Sequence, residues 1–358
     1  MRGAGNVGID NVSVKEYLGQ SVVPESGCGS WLWEPQSTNL ITQSELFSDA
    51  SWTKQNAVIT SNSITSPNGG VNADLLNCPT NARILNSTSV TSGVNYTFSI
   101  FIKKGTSSLF SIDLYDGGSN TLIYNFDTNV VSGGITDNSI EDYGDGWYRL
   151  SGTITTASTT LSCFIYGNGG YSESEGSTYI WGAQLEQQSY ATSYIPTDGS
   201  TVTRNQDVCN NGGSLASING TEGTLYFEGA ALANDGTFRQ ISLTQTAGGG
   251  DVITLDYSSS SNGIRSYLRV GAVSQSLTYI LSDETQYNKI AVRYKDTHSI
   301  WVNGLEVASQ ALTTLPINLN VLTFDNGSGG GNLYGKTKAV AVWKEALSDE
   351  ELTELTTI

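Results

Sequence analysis

Five polar and aromatic side chains in the first half of the chain are of the types that bind sugars. Asp113 and Tyr115 lie two residues apart, so on a β-strand they share one face. Asn125 and Tyr166 fall on nearby predicted strands, and Tyr171 follows the second of them. A tyrosine ring covers the apolar face of a sugar, while Asp and Asn side chains hydrogen-bond to its hydroxyls. The set predicts a carbohydrate-binding face, although tyrosines of this kind also fill cores and ordinary surfaces.

The residues that catalysis requires are scarce. The one histidine, His298, stands in the short predicted connection 296–299, where we expect a surface loop rather than a catalytic triad. Glu173 and Glu175 alternate as the carboxylates of some glycosidases do, but the glycine and serines beside them favour a turn. The sequence therefore favours a protein that is not an enzyme. A polysaccharide-degrading enzyme with its carboxylates on loops is the alternative.

Metal and cofactor signals are weak. Asp325 and Asn326 lie in an oxygen-rich turn that is a candidate for calcium, although such a turn is also common without metal. The four cysteines are too dispersed for a disulfide framework or a metal site, so we expect reduced thiols. They are Cys28, Cys78, Cys163 and Cys209. No cofactor is expected, with calcium as the open alternative.

The elements that must position the five residues are short strands separated by glycine turns. Polar and apolar residues alternate in six segments, and Asp-Gly, Gly-Gly and Asn-Gly pairs separate them. Such regular spacing is typical of an antiparallel jelly roll, which we assign to residues 38–195. The predicted strands are residues 96–102, 109–115, 121–126, 147–154, 161–166 and 178–185.

A second sandwich is predicted over residues 222–358. Alternation on both sides of the Asn303 and Gly304 pair predicts a β-hairpin with a type I′ turn. Ser348 and Glu351 form a capping box that predicts a short C-terminal helix. The predicted fold class is all-β, with two antiparallel β-sandwiches of jelly-roll type in tandem. Further strands are predicted at residues 223–228, 239–243, 252–257, 265–270 and 338–343.

The stretches that flank the sandwiches are predicted from pattern and composition. Residues 7–17 contain the pattern of residues 179–186, so residues 1–20 are expected to hold the closing strand of a sandwich. Such a strand pairs with another subunit or with its own domain, or it marks the sequence as a fragment. Linkers are predicted at residues 21–37 and 196–221.

Charge and hydropathy disfavour two kinds of partner. The 358 residues include 34 acidic and 17 basic side chains, and the formal net charge of −17 repels nucleic acids and anionic membranes. No apolar run approaches the roughly 20 residues of a membrane-spanning helix, so membrane insertion is not expected. Because weak sites gain strength by repetition, we expect a homo-oligomer, with a trimer favoured.

Several longer stretches resemble one family. They are STNLITQSELFSDASWTK (37–54), DGWYRLSGTITT (145–156), IWGAQLEQ (180–187) and ALSDEELTEL (346–355). Together they resemble bacteriophage tail and virion structural proteins in which a carbohydrate-binding-module-like jelly roll precedes a C-terminal laminin-G or concanavalin A-like sandwich. The resemblance implies a non-enzymatic tail or fibre component, located on the virion or outside the cell, that binds a host-surface glycan and other virion subunits. A purely structural subunit that joins its neighbours is the alternative.

Overall fold

The computed structural model describes residues 29–245 and 250–358. These residues form twenty-five strands and one short helix near the C-terminus, which confirms the predicted all-β fold class. The closing strand predicted at residues 7–17 and the thiol of Cys28 lie outside the described residues. No helix in the described part of the chain is long and apolar enough to cross a membrane.

The strands and the helix fall into two consecutive groups along the chain. The first comprises β1 (Trp31–Trp33), β2 (Ser37–Asn39), β3 (Thr53–Gln55), β4 (Val58–Thr65), β5 (Val71–Cys78), β6 (Arg83–Ser89), β7 (Asn95–Lys104), β8 (Leu109–Tyr115), β9 (Thr121–Asn125), β10 (Val130–Gly133), β11 (Asn138–Asp142), β12 (Trp147–Thr155), β13 (Thr160–Tyr166), β14 (Gly176–Glu186) and β15 (Val202–Arg204). The second comprises β16 (Gly223–Ala231), β17 (Arg239–Thr244), β18 (Val252–Tyr257), β19 (Gly263–Val270), β20 (Val273–Ile280), β21 (Asn288–Tyr294), β22 (Thr297–Val302), β23 (Leu305–Ala311), β24 (Val321–Thr323), β25 (Gly335–Trp343) and α1 (Asp349–Thr356).

The described residues divide into two compact units. Residues 36–205 form the first, which we call the first sandwich. Residues 29–35, 206–245 and 250–358 belong to the second, which we call the second sandwich. The predicted domain limits stay predictions, and the stretches predicted as linkers contain the short strands β1 and β15.

The first sandwich consists of two six-stranded antiparallel sheets around one core. Sheet I has the strand order β10-β9-β8-β13-β6-β3, and sheet II has the order β11-β12-β7-β14-β5-β4. Ile84 and Phe110 of sheet I share the core with Phe98 and Ile100 of sheet II, and all four are fully buried. The same core contains Trp52, which comes from the connection before β3. Burial of these side chains is the main source of stability of the unit.

The outer faces of the two sheets differ. On β8, Phe110, Ile112 and Leu114 enter the core, so the residues between them lie on the outer face of sheet I. Sheet II instead buries a second aromatic cluster on its outer side, which includes Phe101 and Trp181. The outer face of sheet I carries exposed aromatic side chains, as Tyr115 shows.

The second sandwich also consists of two antiparallel sheets. Sheet III has the order β1-β25-β16-β21-β22-β23, and sheet IV has the order β20-β19-β18-β17-β24. Their shared core includes Leu225, Leu268 and Val292. Trp33 of β1 joins this core, where its ring centroid lies 5.1 Å from that of Phe324, whereas Trp31 is 47% exposed.

The turn and the helix predicted in the second sandwich are confirmed. Asn303 and Gly304 connect β22 to β23 with φ values of 49° and 89°, the left-handed backbone that a type I′ turn requires. The hydroxyl of Ser348 accepts a hydrogen bond from the backbone N–H of Glu351, and the Glu351 carboxylate accepts one from the backbone N–H of Ser348. This reciprocal pair caps the N-terminus of α1.

The surface-loop prediction for His298 is wrong. The connection between β21 and β22 is shorter than expected, and alternation along β22 turns His298 inward, where it is 0% exposed. Its Nε2 lies 2.7 Å from Ser266 Oγ. Burial lowers the pKa of His298 to about 4, so the ring is neutral at pH 7.

The cysteine prediction is confirmed within the described residues. Cys78, Cys163 and Cys209 are free thiols. Burial raises the pKa of Cys78 and of Cys209 to about 11, and Cys163 is fully buried in the core of the first sandwich. Cys78 and Cys209 therefore carry little of the reactive thiolate form at pH 7.

Candidate functional site

The outer face of sheet I carries a group of aromatic residues around one arginine. We call this surface the Arg83 face, and it comprises Arg83, Tyr115, Phe164, Tyr166 and Tyr171. Three of the five side chains were predicted as sugar-binding residues, and the structure brings those three together. The five side chains of the Arg83 face come from β6, β8, β13 and the loop after β13.

Strand register explains how these residues meet. Leu85 of β6 pairs with Phe164 of β13, and Phe164 pairs with Asp113 of β8. Two positions along the strands, Tyr115 pairs with Ser162. Because neighbouring strands lie about 4.8 Å apart and alternate residues about 6.7 Å apart, these outward side chains form one continuous surface.

Arg83 is held in place by side chains on both flanking strands. Its Nε donates a hydrogen bond to Gln55 Oε1 at 2.6 Å, and its Nη1 donates one to Tyr166 Oη at 3.1 Å. The guanidinium carbon lies 4.2 Å from the centroid of the Phe164 ring and 5.0 Å from that of Tyr171. Both distances are within the range of a cation–π contact, so the guanidinium is oriented before any ligand arrives.

The two ends of the Arg83 face are exposed rings. Tyr115 and Tyr171 are each 43% exposed. Tyr115 meets the edge of the Phe164 ring at a centroid distance of 5.9 Å, and Tyr171 lies against Arg83. The row Tyr115, Phe164, Arg83 and Tyr171 therefore offers aromatic and cationic surface to solvent without a break.

Tyr166 holds Arg83 in position and is itself almost completely buried. The residue is 6% exposed, and its hydroxyl accepts the hydrogen bond from Arg83. Burial raises the pKa of Tyr166 even though Arg83 acts in the opposite direction. The hydroxyl is thus a neutral acceptor that fixes the arginine.

The side-chain oxygens of Asp113 and Asn125 accept hydrogen bonds from nearby turns. Asp113 lies on the same outer face, but its two carboxylate oxygens accept hydrogen bonds from Ser119 Oγ and from the backbone N–H of Asn120. Asn125 pairs with Leu109 at the far end of β8, and its Oδ1 accepts backbone N–H groups of the turn that follows. Asn125 is therefore four strand positions away from Asp113 and separate from the Arg83 face.

Arg83 and Phe164 were not predicted from the sequence. The signal for Phe164 is present, because it lies two residues before Tyr166 in a predicted strand and so shares its face. Arg83 begins β6, which was not predicted as a strand. Its position beside Tyr166 follows from strand pairing and is not visible in local sequence.

The turn proposed for calcium uses its side-chain oxygens internally. Asp325 Oδ1 accepts the backbone N–H of Gly327 at 2.5 Å. Asn326 Oδ1 accepts the backbone N–H groups of Ser328 and Gly330 at 2.8 and 3.1 Å. Across residues 29–245 and 250–358, no group of three or more His, Cys, Asp or Glu side chains is placed to hold a metal ion.

Comparisons with known proteins find solved structures that are similar to part of this chain. No protein-family model and no curated protein sequence matches the chain. The module CBM40 of Ruminococcus gnavus IT-sialidase, solved with alpha2,3 sialyllactose, is similar at 17% identity and a TM-score of 0.34, over 41% of this chain and 93% of the module. Leech intramolecular trans-sialidase is similar at 20% identity and a TM-score of 0.34, over 42% of this chain and 26% of that enzyme. The botulinum neurotoxin serotype G binding domain is similar at 13% identity and a TM-score of 0.35, over 48% of each chain.

Proposed function

We propose that the protein is a non-enzymatic glycan-binding protein and that the Arg83 face is its binding surface. The observation that supports this most directly is the row of exposed aromatic rings around an oriented guanidinium. Sugar rings present C–H groups that pack on aromatic faces and hydroxyls that accept hydrogen bonds from arginine. Both kinds of partner stand side by side on a rigid sheet.

The proposed role is attachment of a bacteriophage virion to its host. This part of the proposal is supported by the sequence stretches that resemble phage tail and virion proteins. A single shallow face binds weakly, so attachment would depend on many copies acting together on one cell surface. A homo-oligomer within the virion, with a trimer favoured, would supply that repetition.

Glycan binding is tested by titrating the purified chain with polysaccharides from candidate host cells in a calorimeter. Tyr115→Ala with Tyr171→Ala should weaken binding about 5- to 150-fold, because each ring contributes about 0.5–1.5 kcal/mol. Tyr279→Ala is the matched control, since Tyr279 is 36% exposed on β20 of the second sandwich. Equal losses in control and double variant would show that the Arg83 face is not the binding surface.

The same titrations distinguish the alternatives. Reducing ends are measured after long incubation, and their release would establish a polysaccharide-degrading enzyme. Addition of calcium or a chelator should leave affinity unchanged, because the Arg83 face contains no oxygen cluster suited to calcium. If the folded chain binds no host polysaccharide, the result favours the alternative of a structural subunit that joins its neighbours.

The attachment role is tested on cells. Purified chain, assembled in its native oligomeric state, should compete with the phage that encodes it for adsorption to the host. The double tyrosine variant should compete less well than the Tyr279→Ala control. Undiminished adsorption at saturating protein would contradict a role in attachment.

A further inference from the structure

Arg83 has N–H donors that no residue within 29–245 and 250–358 uses. A guanidinium has five N–H donors. Two of those on Arg83 are taken by Gln55 and Tyr166, and Nη2 makes no hydrogen bond to any residue in the described ranges. The unused N–H groups belong to a side chain that is already oriented. Little side-chain entropy is therefore lost when they bind a partner.

Arg83 also has no acidic partner among the described residues, although the chain has twice as many acidic as basic side chains. Some other arginines of the described residues do have one: Arg239 pairs with Asp235 at 2.7 Å and Arg265 with Asp256 at 3.0 Å. None of the ion pairs between described residues involves Arg83. A partly exposed cation between aromatic rings is thus left available to an external anion.

A second arginine without an ion pair is ruled out as the site. Arg149 on sheet II donates to Ser99 Oγ and lies 5.2 Å from the Phe101 ring centroid, but it is only 4% exposed. A ligand would have to displace the packed aromatic cluster to reach it. Arg83 is itself partly exposed and Tyr171 beside it is 43% exposed, so a ligand can reach Arg83 without such a rearrangement.

We propose that the Arg83 face selects sugars that carry a carboxylate, such as uronic or ulosonic acid residues, with the carboxylate on the unused N–H groups of Arg83. This inference rests on the proposed glycan-binding function and narrows its ligand. A planar carboxylate matches the edge of a guanidinium and accepts two parallel hydrogen bonds. The rings of Phe164 and Tyr171, 4.2 and 5.0 Å from the guanidinium carbon, would shield the pair from water and offer apolar surface to the sugar ring.

Because the chain has a large negative net charge, selectivity for a carboxylate must come from close contacts at Arg83 and not from long-range attraction. At −17 the protein repels a polyanion at long range. An acidic polysaccharide that binds must therefore be held by close contacts with a specific cation. The inference predicts binding that depends on one arginine rather than on a general positive surface.

The test uses polygalacturonate and polysialic acid, each paired with its carboxyl-reduced form. The reduced polymers keep the sugar ring but carry a hydroxymethyl group in place of the carboxylate. We expect the chain to bind the acidic forms about 10- to 100-fold more tightly, the range of hydrogen bonds to a charged group. Dextran sulfate is the third probe, and it should bind no better than the reduced polymers.

Two variants assign the selectivity to Arg83. Arg83→Gln should remove the difference in affinity between the acidic and reduced polymers. Arg83→Lys should retain part of that difference, because lysine keeps the positive charge but lacks the paired N–H donors of the guanidinium. Unfolding midpoints equal to the unmodified chain would show that both variants are folded.

Each contrary result has a separate meaning. If acidic and reduced polymers bind equally while the double tyrosine variant still weakens both, the glycan-binding face is retained and carboxylate selection is wrong. If selectivity survives in Arg83→Gln, the carboxylate is recognised elsewhere. Preferred binding of dextran sulfate would show a general anion site, and no binding of any polymer would refute the proposed function itself.

Discussion

Replacing Glu284 with glutamine should stabilise the second sandwich above neutral pH and leave its stability near pH 4 almost unchanged. Glu284 is 1% exposed, and its Oε2 has no hydrogen-bond partner among the described residues. Burial raises its pKa from 4.5 to about 7, although nearby Arg239 acts in the opposite direction. Asp235 and Asp283 raise it further. Ionised Glu284 is therefore unfavourable in the folded protein.

The sign of the pH dependence follows from proton binding. Between pH 4.5 and about 7 the folded state holds a proton on Glu284 that the unfolded state has lost. The free energy of unfolding therefore falls as the pH rises through this window. Above it both states are ionised, and the full penalty remains.

The magnitude follows from the two pKa values. A change from 4.5 to about 7, at about 1.4 kcal/mol per pH unit, corresponds to a penalty of ~3 kcal/mol at pH 8. Glutamine has the shape of the protonated acid and cannot ionise. Glu284→Gln should thus gain roughly 2–3 kcal/mol at pH 8 relative to the unmodified chain.

The assay is urea unfolding of both proteins from pH 4 to 9, followed by tryptophan fluorescence. Asp256, whose pKa is raised to about 6, contributes a similar trend, but it is present in both proteins and cancels in the difference. Glu306→Gln, which makes the same change at an exposed site on β23, is the control against which the difference is read. Parallel curves for Glu284→Gln and the unmodified chain across this range would refute the reasoning.

Two further predictions concern the elements that hold the sandwiches together. Phe110→Ala should cost about 3–5 kcal/mol in the unfolding free energy of the first sandwich, because it empties a fully buried site, whereas Ile123→Ala on the outer side of the same sheet should cost under about 1.5 kcal/mol. Equal losses in urea unfolding would contradict the assignment of inner and outer faces. Ser348→Ala should cost about 1 kcal/mol through loss of the α1 cap, and Thr353→Ala on the exposed side of α1 should cost less. An unchanged unfolding midpoint for Ser348→Ala would show that the cap contributes no stability.

The strands with a clear apolar face could be predicted from sequence. β8 and β18 begin and end where alternation predicted, at residues 109–115 and 252–257. β4 could not be found, because its buried and exposed positions do not separate apolar from polar residues and a bulge interrupts its pairing with β5. Where tertiary contacts rather than side-chain pattern determine a strand, local sequence contains too little information.

The candidate site shows the same limit. Asp113 and Tyr115 were correctly placed on one face because that face is set by residue spacing alone. Arg83 was missed because its approach to Tyr166 depends on β6 pairing with β13, across more than eighty residues. The roles of Asp113 and Asn125 in turns were missed for a related reason, since hydrogen bonds to nearby backbone depend on turn geometry.

The separation of inner and outer residues on sheet I has an evolutionary consequence. Cys163 and Ile165 fill the core, while Phe164 between them faces outward on the same strand. Substitutions at outward positions alter the surface that a ligand meets without disturbing the packing that folds the unit. Under the proposed function, single substitutions at positions such as 115, 164 and 171 would change which glycan the phage binds, and with it the host range. The first sandwich would still fold, because its core is unchanged.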